Sequence, residues 1–135
     1  MTDATISTSG FEQDPFALAY PETREFWAAA AEQRFVIKAC KDCGRAHWFP
    51  RVICPLCGSA NTVWQSASGR GTIYAFSAAR KAAPAYTLAY VTLEEGPTLM
   101  TNLIGAAPES FAIGQAVSLC WVTAPEGRMM PYFAP

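Results

Sequence analysis

Apolar positions follow two different periods along the chain, and the change between them falls near residue 36. Over residues 20–36 an alanine-rich stretch places Phe26, Trp27 and Ala30 on one side of a predicted helix. We expect this apolar stripe to pack against the rest of the chain, with docking of a partner subunit as the alternative. From "FVIKAC" onward the apolar residues are β-branched or aromatic and come in short runs, which is typical of strands.

The second half of the chain has the pattern of short strands joined by tight turns. The strand-like runs are "TIYAFSAARK", "YTLAYVTLEE", "TLMTNLIG" and "AVSLCWVTA", and "AAPESFAIGQ" has the pattern of a short helical turn. Four or five short strands in about 65 residues favour a small closed barrel over a sandwich, which usually needs about seven. The last segment, "MMPYFAP", is either a final strand or an apolar tail that offers a docking patch to a partner.

Four of the five cysteines form two CxxC pairs that are separated by ten residues, and a glycine follows each pair. The predicted metal ligands are Cys40, Cys43, Cys54 and Cys57. Two residues between cysteines allow both sulfurs to face one ion, and four thiolates about 2.3 Å from Zn²⁺ complete a closed tetrahedral site. We therefore predict one structural zinc ion. Iron is the alternative, because the two pairs also resemble the knuckles of rubredoxin. It is less favoured, because rubredoxins have a much longer spacer between the two pairs.

These patterns predict a mainly β fold: an N-terminal helix, a rubredoxin-like zinc ribbon and a five-stranded OB-fold barrel. The predicted boundaries are a flexible arm at 1–19, the helix at 20–36, the ribbon at 37–66, and the barrel with its C-terminal tail at 67–135.

Charge is unevenly distributed, although the formal net charge is only −1. Residues 1–33 carry six acids and one base, residues 34–69 carry five bases and one acid, and the remainder carries four of each. A nucleic-acid-binding ribbon and barrel would need a basic groove with exposed aromatics. The near-neutral barrel makes that function the alternative rather than the prediction.

Membrane and export signals are not visible in the sequence. No window approaches the roughly 18 apolar residues of a membrane helix, and the first ten residues lack the basic and apolar regions of a signal peptide. We therefore expect a cytoplasmic protein with no membrane partner. In that compartment, paired cysteines hold metal more often than they form disulfides.

The motifs of common catalytic sites are absent, so the sequence predicts a chain that is not itself an enzyme. His47 is the only histidine and is expected at the surface or at an interface. Cys120 is expected to be a small buried side chain within a strand. Glu94 and Glu95 are expected in a solvated hairpin turn. An independent redox or enzymatic role stays open as a further alternative.

The ordered set of motifs resembles the family of zinc-ribbon, OB-fold acyl-CoA-associated proteins. The resemblance covers residues 20–123 and is carried by "REFWAAAAEQRF", "CKDCG", "WFPRVICPLCGS", "SGRGTIYAFSAAR", "YTLAYVTLEEGPTLMTNLIG" and "PESFAIGQAVSLCW". It places the metal ligands on the same four cysteines, an aromatic–proline–arginine step on Phe49-Pro50-Arg51 and the barrel entry on Gly69-Arg70-Gly71.

The resemblance implies a non-catalytic accessory subunit that binds acyl-CoA or other CoA thioesters in lipid metabolism. The implied partners are thiolase-like enzymes, hydroxymethylglutaryl-CoA synthase, lipid-transfer-type aldolases and MaoC-like hydratases. It assigns no CoA contacts, so we rank them by physical chemistry: CoA offers phosphates to cations and an adenine to stack on an aromatic ring. The candidates are Arg80, Lys81 and Tyr86 around one loop, with Arg51 as a second site. Ordinary solvated residues beside a hairpin loop are the competing interpretation.

Overall fold

The computed structural model describes residues 14–135, so most of the arm predicted at 1–19 lies outside the described residues. The described end of that arm is helical rather than irregular, because helix α1 spans Pro15–Ala19. Asp14 caps this helix: its carboxylate accepts a hydrogen bond from the Phe16 backbone N–H at 2.8 Å. Such a cap satisfies one of the free N–H groups at a helix start.

The helix predicted over 20–36 is shorter in the structure. A 3₁₀ turn at Pro21–Thr23 leads into helix α2, Arg24–Ala31. The helix ends early because Gln33 adopts a φ of 59°, and the N–H groups that follow α2 donate back to carbonyl oxygens of its last turn. This is the hydrogen-bonding pattern of a Schellman motif, which usually places glycine at the left-handed position.

The apolar stripe of α2 packs within the chain, which confirms the first of the two predictions made for it. Phe26, Trp27 and Ala30 are all buried. The Phe26 ring meets the Trp48 ring edge-on, with centroids 4.9 Å apart, so the helix covers one side of the ribbon.

The ribbon is built on a three-stranded antiparallel sheet. Its strands are β1 (Val36–Cys40), β2 (Ala46–His47) and β3 (Thr62–Ser66). The spatial order is β2-β1-β3, so β1 lies in the centre and ends at the first cysteine.

The remaining strands form a closed five-stranded barrel, which confirms the predicted OB-fold. They are β4 (Arg70–Ala79), β5 (Tyr86–Leu93), β6 (Thr98–Leu103), β7 (Ala116–Thr123) and β8 (Met129–Ala134). Their order around the barrel is β4-β5-β6-β8-β7, and the predicted helical turn lies at Pro108–Ser110 before β7.

Strand β8 closes the barrel, which confirms the first of the two alternatives for the last segment, a final strand, and shows that the second, a free docking tail, is wrong. It pairs antiparallel with β7 along its length and meets β6 in parallel at Leu103 and Phe133. Pro131 and Phe133 alternate inward, and Phe133 is fully buried. The apolar character of this segment therefore reflects the barrel core.

Ribbon, helix and barrel share one continuous core. The Phe35 ring lies 6.1 Å from the Trp121 ring and 6.5 Å from the Phe133 ring, both of the barrel. At the barrel entry, a Cβ added to Gly71 would lie 2.7 Å from the Thr92 carbonyl oxygen, so only glycine permits this strand approach. In the part of the chain that the structure describes, no helix has the length and apolar character needed to cross a membrane.

A four-cysteine centre and its surroundings

Two tight turns position the four cysteines. In the first, the Gly44 N–H donates to the Cys40 carbonyl oxygen at 2.9 Å; in the second, the Gly58 N–H donates to the Cys54 carbonyl oxygen at 2.8 Å. The two glycines adopt φ values of 75° and 83°. A residue with a side chain is penalised in this left-handed region, which explains the glycine after each CxxC pair.

The geometry of the cluster fits one metal ion. The Sγ atoms of Cys40, Cys43, Cys54 and Cys57 all lie within 4.8 Å of one another. The Cys40–Cys57 sulfurs are 3.5 Å apart and the Cys43–Cys54 sulfurs 3.9 Å apart. Four thiolates about 2.3 Å from a tetrahedral Zn²⁺ lie about 3.8 Å from one another. The four cysteines are therefore placed to hold one ion.

Backbone N–H groups point at the sulfurs and favour the thiolate form. The Cys43 N–H donates to the Cys40 Sγ, and the Leu56 N–H donates to the Cys54 Sγ, both at 3.4 Å. The first of these bonds lowers the pKa of Cys40 to about 7. A backbone hydrogen bond at Arg45 likewise lowers the pKa of Cys43. Because the thiolate is the form that binds metal, these turns prepare the ligands.

The closeness of the four sulfurs disfavours the thiolate form of Cys57. A backbone hydrogen bond at Ser59 lowers the pKa of Cys57, but the neighbouring sulfurs, together with burial, outweigh it and raise that pKa to about 12. Four adjacent thiolates therefore need a cation to neutralise them, which is the chemistry of a metal centre.

A polar network joins the two knuckles. The Ser59 hydroxyl and the Asn61 side-chain amide donate to the two carboxylate oxygens of Asp42, at 2.5 Å and 3.3 Å. The bond from Ser59 lowers the pKa of Asp42. In addition, the Lys41 N–H donates to the Asn61 carbonyl oxygen at 2.9 Å. These bonds align the first knuckle with the chain that leaves the second.

His47 is buried, which corrects the prediction of a surface histidine. It is 3% exposed, because the pairing of β2 with β1 opposite Lys38 directs it inward. Neither ring nitrogen has a hydrogen-bond partner among the described protein groups. Burial lowers the pKa of His47, and the charges of Lys38 and Arg51 lower it further, against an opposing effect of the Arg51 backbone. The imidazole is therefore neutral at pH 7.

We expect the free energy of unfolding to decrease as the pH falls from 7 toward 5. The pKa of His47 in the folded chain lies below its unfolded value of about 6.5. Its contribution to stability is therefore complete above that value and is lost as the pH falls below it. Urea-unfolding midpoints at pH 7.5 and 5.5 measure the effect. His47→Gln should reduce the difference between the two midpoints, since the cysteines titrate alike in both proteins; an equal difference in both would contradict the prediction.

The residues predicted to contact a ligand lie in two separate places. Arg80 and Tyr86 both line a cleft of about 610 Å³ at one end of the barrel. Lys81 is exposed and lies outside this lining. Arg51 lies on the ribbon, in a different groove. The Arg80 guanidinium forms a salt bridge with Glu109 at 2.6 Å, and both side chains are exposed, so the pair is weak and open to exchange.

The predictions for Cys120 and for the turn at Glu94 and Glu95 have different outcomes. Cys120 is exposed rather than buried, because the register of β7 turns Val117 inward and Cys120 outward. Glu94 is exposed in the β5–β6 turn, as predicted, and forms a salt bridge with Arg70 at 2.8 Å. Glu95 is only partly solvated: one carboxylate oxygen accepts the Ser68 N–H at 2.8 Å, and the other is buried.

Two family models match consecutive parts of the chain. The model described as "ChsH2, rubredoxin-like zinc ribbon domain" matches residues 27–63, and the model described as "ChsH2, C-terminal OB-fold domain" matches residues 64–122. The boundary between them falls within β3, the last strand of the ribbon. Together these matches confirm the resemblance drawn from the motifs.

Individual proteins with similar chains are described as parts of enzyme assemblies or as scaffolds. The structure titled "Ltp2-ChsH2(DUF35) aldolase" has a chain that superposes with a TM-score of 0.74 at 34% identity, over 84% of this chain and 93% of that one. A probable enoyl-CoA hydratase alpha subunit of Thermomonospora curvata is 37% identical over 95% of this chain. The chain described here spans only 43% of the length of that subunit. A DUF35 domain-containing scaffold protein of Pyrococcus furiosus is 29% identical, over 73% of this chain and 76% of that protein.

Proposed function

Because this chain belongs to the ChsH2 family, which joins a rubredoxin-like zinc ribbon to an OB-fold, we propose that it is an accessory subunit of a CoA-thioester enzyme. The observation that carries the proposal is the likeness, over nearly a whole chain, to part of an aldolase assembly. The hydratase named above makes a hydratase the second candidate partner. A thiolase-like enzyme is the third candidate partner, because its substrates are also CoA thioesters.

The chemistry of the site supports a role without catalysis. Four cysteine ligands would complete the coordination of one ion, so a substrate would find no open position there. Within residues 14–135 these cysteines form the only group of three or more potential metal-ligating side chains. Three archaeal relatives carry the description of scaffold proteins, in agreement with the prediction that the chain is not an enzyme.

We propose zinc as the resident ion, because four thiolates suit Zn²⁺ and the family model that matches this region is described as a zinc ribbon. Bound there, the ion would stabilise the ribbon and neutralise the four thiolates. The residues of the chain position the ligands: the two turns orient the sulfurs, and the hydrogen bonds from Ser59 and Asn61 to Asp42 hold the two knuckles in register.

The cleft that holds Arg80 and Tyr86 is the proposed site for part of the CoA thioester. Its volume of about 610 Å³ lies in the range of small-molecule sites. The guanidinium of Arg80 would exchange Glu109 for a phosphate, Lys81 would add charge at the rim, and the Tyr86 ring would stack on adenine or pack against pantetheine. Since the cleft is open at the surface, the partner enzyme would complete it. Arg51, on the ribbon, is a second candidate for a phosphate contact.

Copurification tests the accessory role directly. We expect the chain, co-expressed in turn with each aldolase- and hydratase-type subunit of its own organism, to form a stable complex with one of them. Size-exclusion chromatography with light scattering would give the composition of that complex. If none of these enzymes binds, the proposal is wrong.

Titration calorimetry on that complex tests the CoA site. Arg80→Ala combined with Lys81→Ala should weaken acetyl-CoA binding several-fold and leave the melting temperature unchanged, because both side chains are exposed. Arg34→Ala is the matched control, since Arg34 is also an exposed arginine in a salt bridge, here with Glu32. Unchanged affinity in the double variant would remove these residues from the site.

A further inference from the structure

The outer surface of β4, β5 and β6 carries exposed aromatic and apolar side chains without any charge. The most prominent are Tyr74 (66% exposed), Met100 (59%), Tyr90 (46%) and Leu88 (36%), here called the tyrosine face. The sequence of β4 from Thr72 onward, and all of β5 and β6, contains no Asp, Glu, Lys or Arg. Elsewhere on a protein surface, charged residues normally interrupt such a patch.

The strand register makes these four side chains one continuous surface. Tyr90 in the middle strand lies opposite Ala75 of β4 on one side and Met100 of β6 on the other. Leu88 precedes Tyr90 by two residues and so faces the same way. A β-bulge between Ile73 and Ala75 inserts Tyr74 as an extra residue at this level. Bulges of this kind redirect a side chain, and here the result is a third large group beside Tyr90 and Met100.

Two exposed ion pairs flank the tyrosine face, and Lys81, next to Arg80, is an exposed cation beside one of them. At one end of β4, Arg70 pairs with Glu94 at 2.8 Å; at the other end, Arg80 pairs with Glu109 at 2.6 Å. An uncharged centre rich in Tyr and Met, with polar groups at its edge, has the composition of a protein–protein interface. It does not suit a nucleic acid or an anionic membrane, since binding to either depends on clustered cations and the face itself carries none.

The size and shape of the face indicate what covers it. At about 200 Å² for each large side chain, the exposed fractions correspond to roughly 400 Å², half of what one partner contributes to a standard interface. The neighbouring threonines, serine and Tyr86 extend this area. A closed barrel is convex, and two convex barrels touch over only a small area. A flat or concave surface on a larger protein therefore fits this face better than a second copy of the chain.

We propose that the tyrosine face is the surface on which the chain docks to its enzyme subunit, against an uncharged apolar area of that subunit. This inference rests on the accessory role proposed above. It also fits the position of the cleft: Tyr86 stands at the end of β5 that leads into the cleft, two residues before Leu88. An enzyme subunit seated on the tyrosine face would lie beside the cleft that the CoA thioester is proposed to occupy.

The test introduces charge into the centre of the face. Tyr90→Glu combined with Met100→Glu should weaken binding to the copurifying aldolase- or hydratase-type subunit by at least about 30-fold, as expected for central residues of an interface. Ile113→Glu is the matched control, because Ile113 is 71% exposed and lies outside the face. It should change the affinity less than about two-fold. If the double variant folds poorly, Tyr74→Ala should still weaken binding by about tenfold, with an unchanged melting temperature.

Each other outcome overturns the inference. If the unaltered chain binds the enzyme and the variants bind equally well, the tyrosine face is not the docking surface, although the accessory role stands. If no enzyme subunit binds the unaltered chain, both proposals fall. Sedimentation of the chain alone covers the remaining case: a concentration-dependent dimer that the double variant abolishes would assign the face to a second copy.

Discussion

Replacing Cys54 by serine should abolish metal binding and unfold the ribbon. Cys54 is almost fully buried, and its sulfur is one of four that share a single site. Structural zinc sites contribute an apparent binding free energy of about 10–16 kcal/mol. Since that exceeds or equals the total stability of most domains, about 5–15 kcal/mol, a ribbon without its ion is not expected to stay folded. Elemental analysis of the purified protein and the dispersion of its amide NMR signals would measure both effects.

Cys120→Ser is the matched control for that experiment. Cys120 lies on the outer face of β7, away from the cluster, and its side chain is exposed. This variant should retain one equivalent of metal and change the free energy of unfolding by less than about 0.5 kcal/mol. Full metal content in Cys54→Ser would contradict the four-cysteine site. A red, iron-containing preparation of the unaltered protein would contradict the assignment of zinc while leaving the ligands in place.

Replacing Asp14 by alanine should destabilise the chain by about 3 kcal/mol, because it leaves a largely buried arginine with only the exposed Glu126 carboxylate, 3.8 Å away, as a counter-ion. The Asp14 carboxylate accepts a hydrogen bond from the Arg128 guanidinium, and the two side chains are only 3% and 15% exposed. The guanidinium also lies over the Phe16 and Trp27 rings, at 5.3 and 5.5 Å from their centroids. This contact joins α1 to the β7–β8 turn. Urea unfolding followed by tryptophan fluorescence would measure the loss.

Asp14→Asn separates the two roles of Asp14. Asparagine caps a helix about as well as aspartate, so this variant keeps the hydrogen bond to the Phe16 N–H but loses the charge. We expect it to show most of the destabilisation, with about 1 kcal/mol more lost in Asp14→Ala through the missing cap. A combined Asp14→Leu and Arg128→Met variant should recover much of the stability, because it buries no uncompensated charge. If Asp14→Asn were as stable as the unaltered chain, the ion pair would make no contribution to the free energy of unfolding.

The close approach of the four cysteines could be predicted from the sequence almost completely. Cys40, Cys43, Cys54 and Cys57 lie close together because each CxxC turn is a local structure, and the glycine after it provides the required left-handed backbone. The same holds for the strands of the barrel, whose β-branched and aromatic runs were predicted from their own residues. The end of α2 was not predicted, because Gln33 occupies a left-handed position at which a glycine normally marks the end of a helix.

The surroundings of that centre could not be predicted in the same way. His47 and Cys120 were assigned to the wrong side of their strands, because the side that faces inward depends on how each strand pairs with its neighbour. The carboxylate of Asp14 and the guanidinium of Arg128 are 114 residues apart in the sequence. No local pattern connects them.

The sequence by itself thus determined the local units: the two CxxC turns, the strands and the absence of charge along β5 and β6. Only the tertiary structure decided that β8 closes the barrel, with Phe133 at its centre, and that Tyr74, Tyr90 and Met100 share one outer face. The physical reason is that turn chemistry and side-chain period act over a few residues. Barrel closure and strand register depend instead on pairings between distant segments, which are selected by the burial of the whole core.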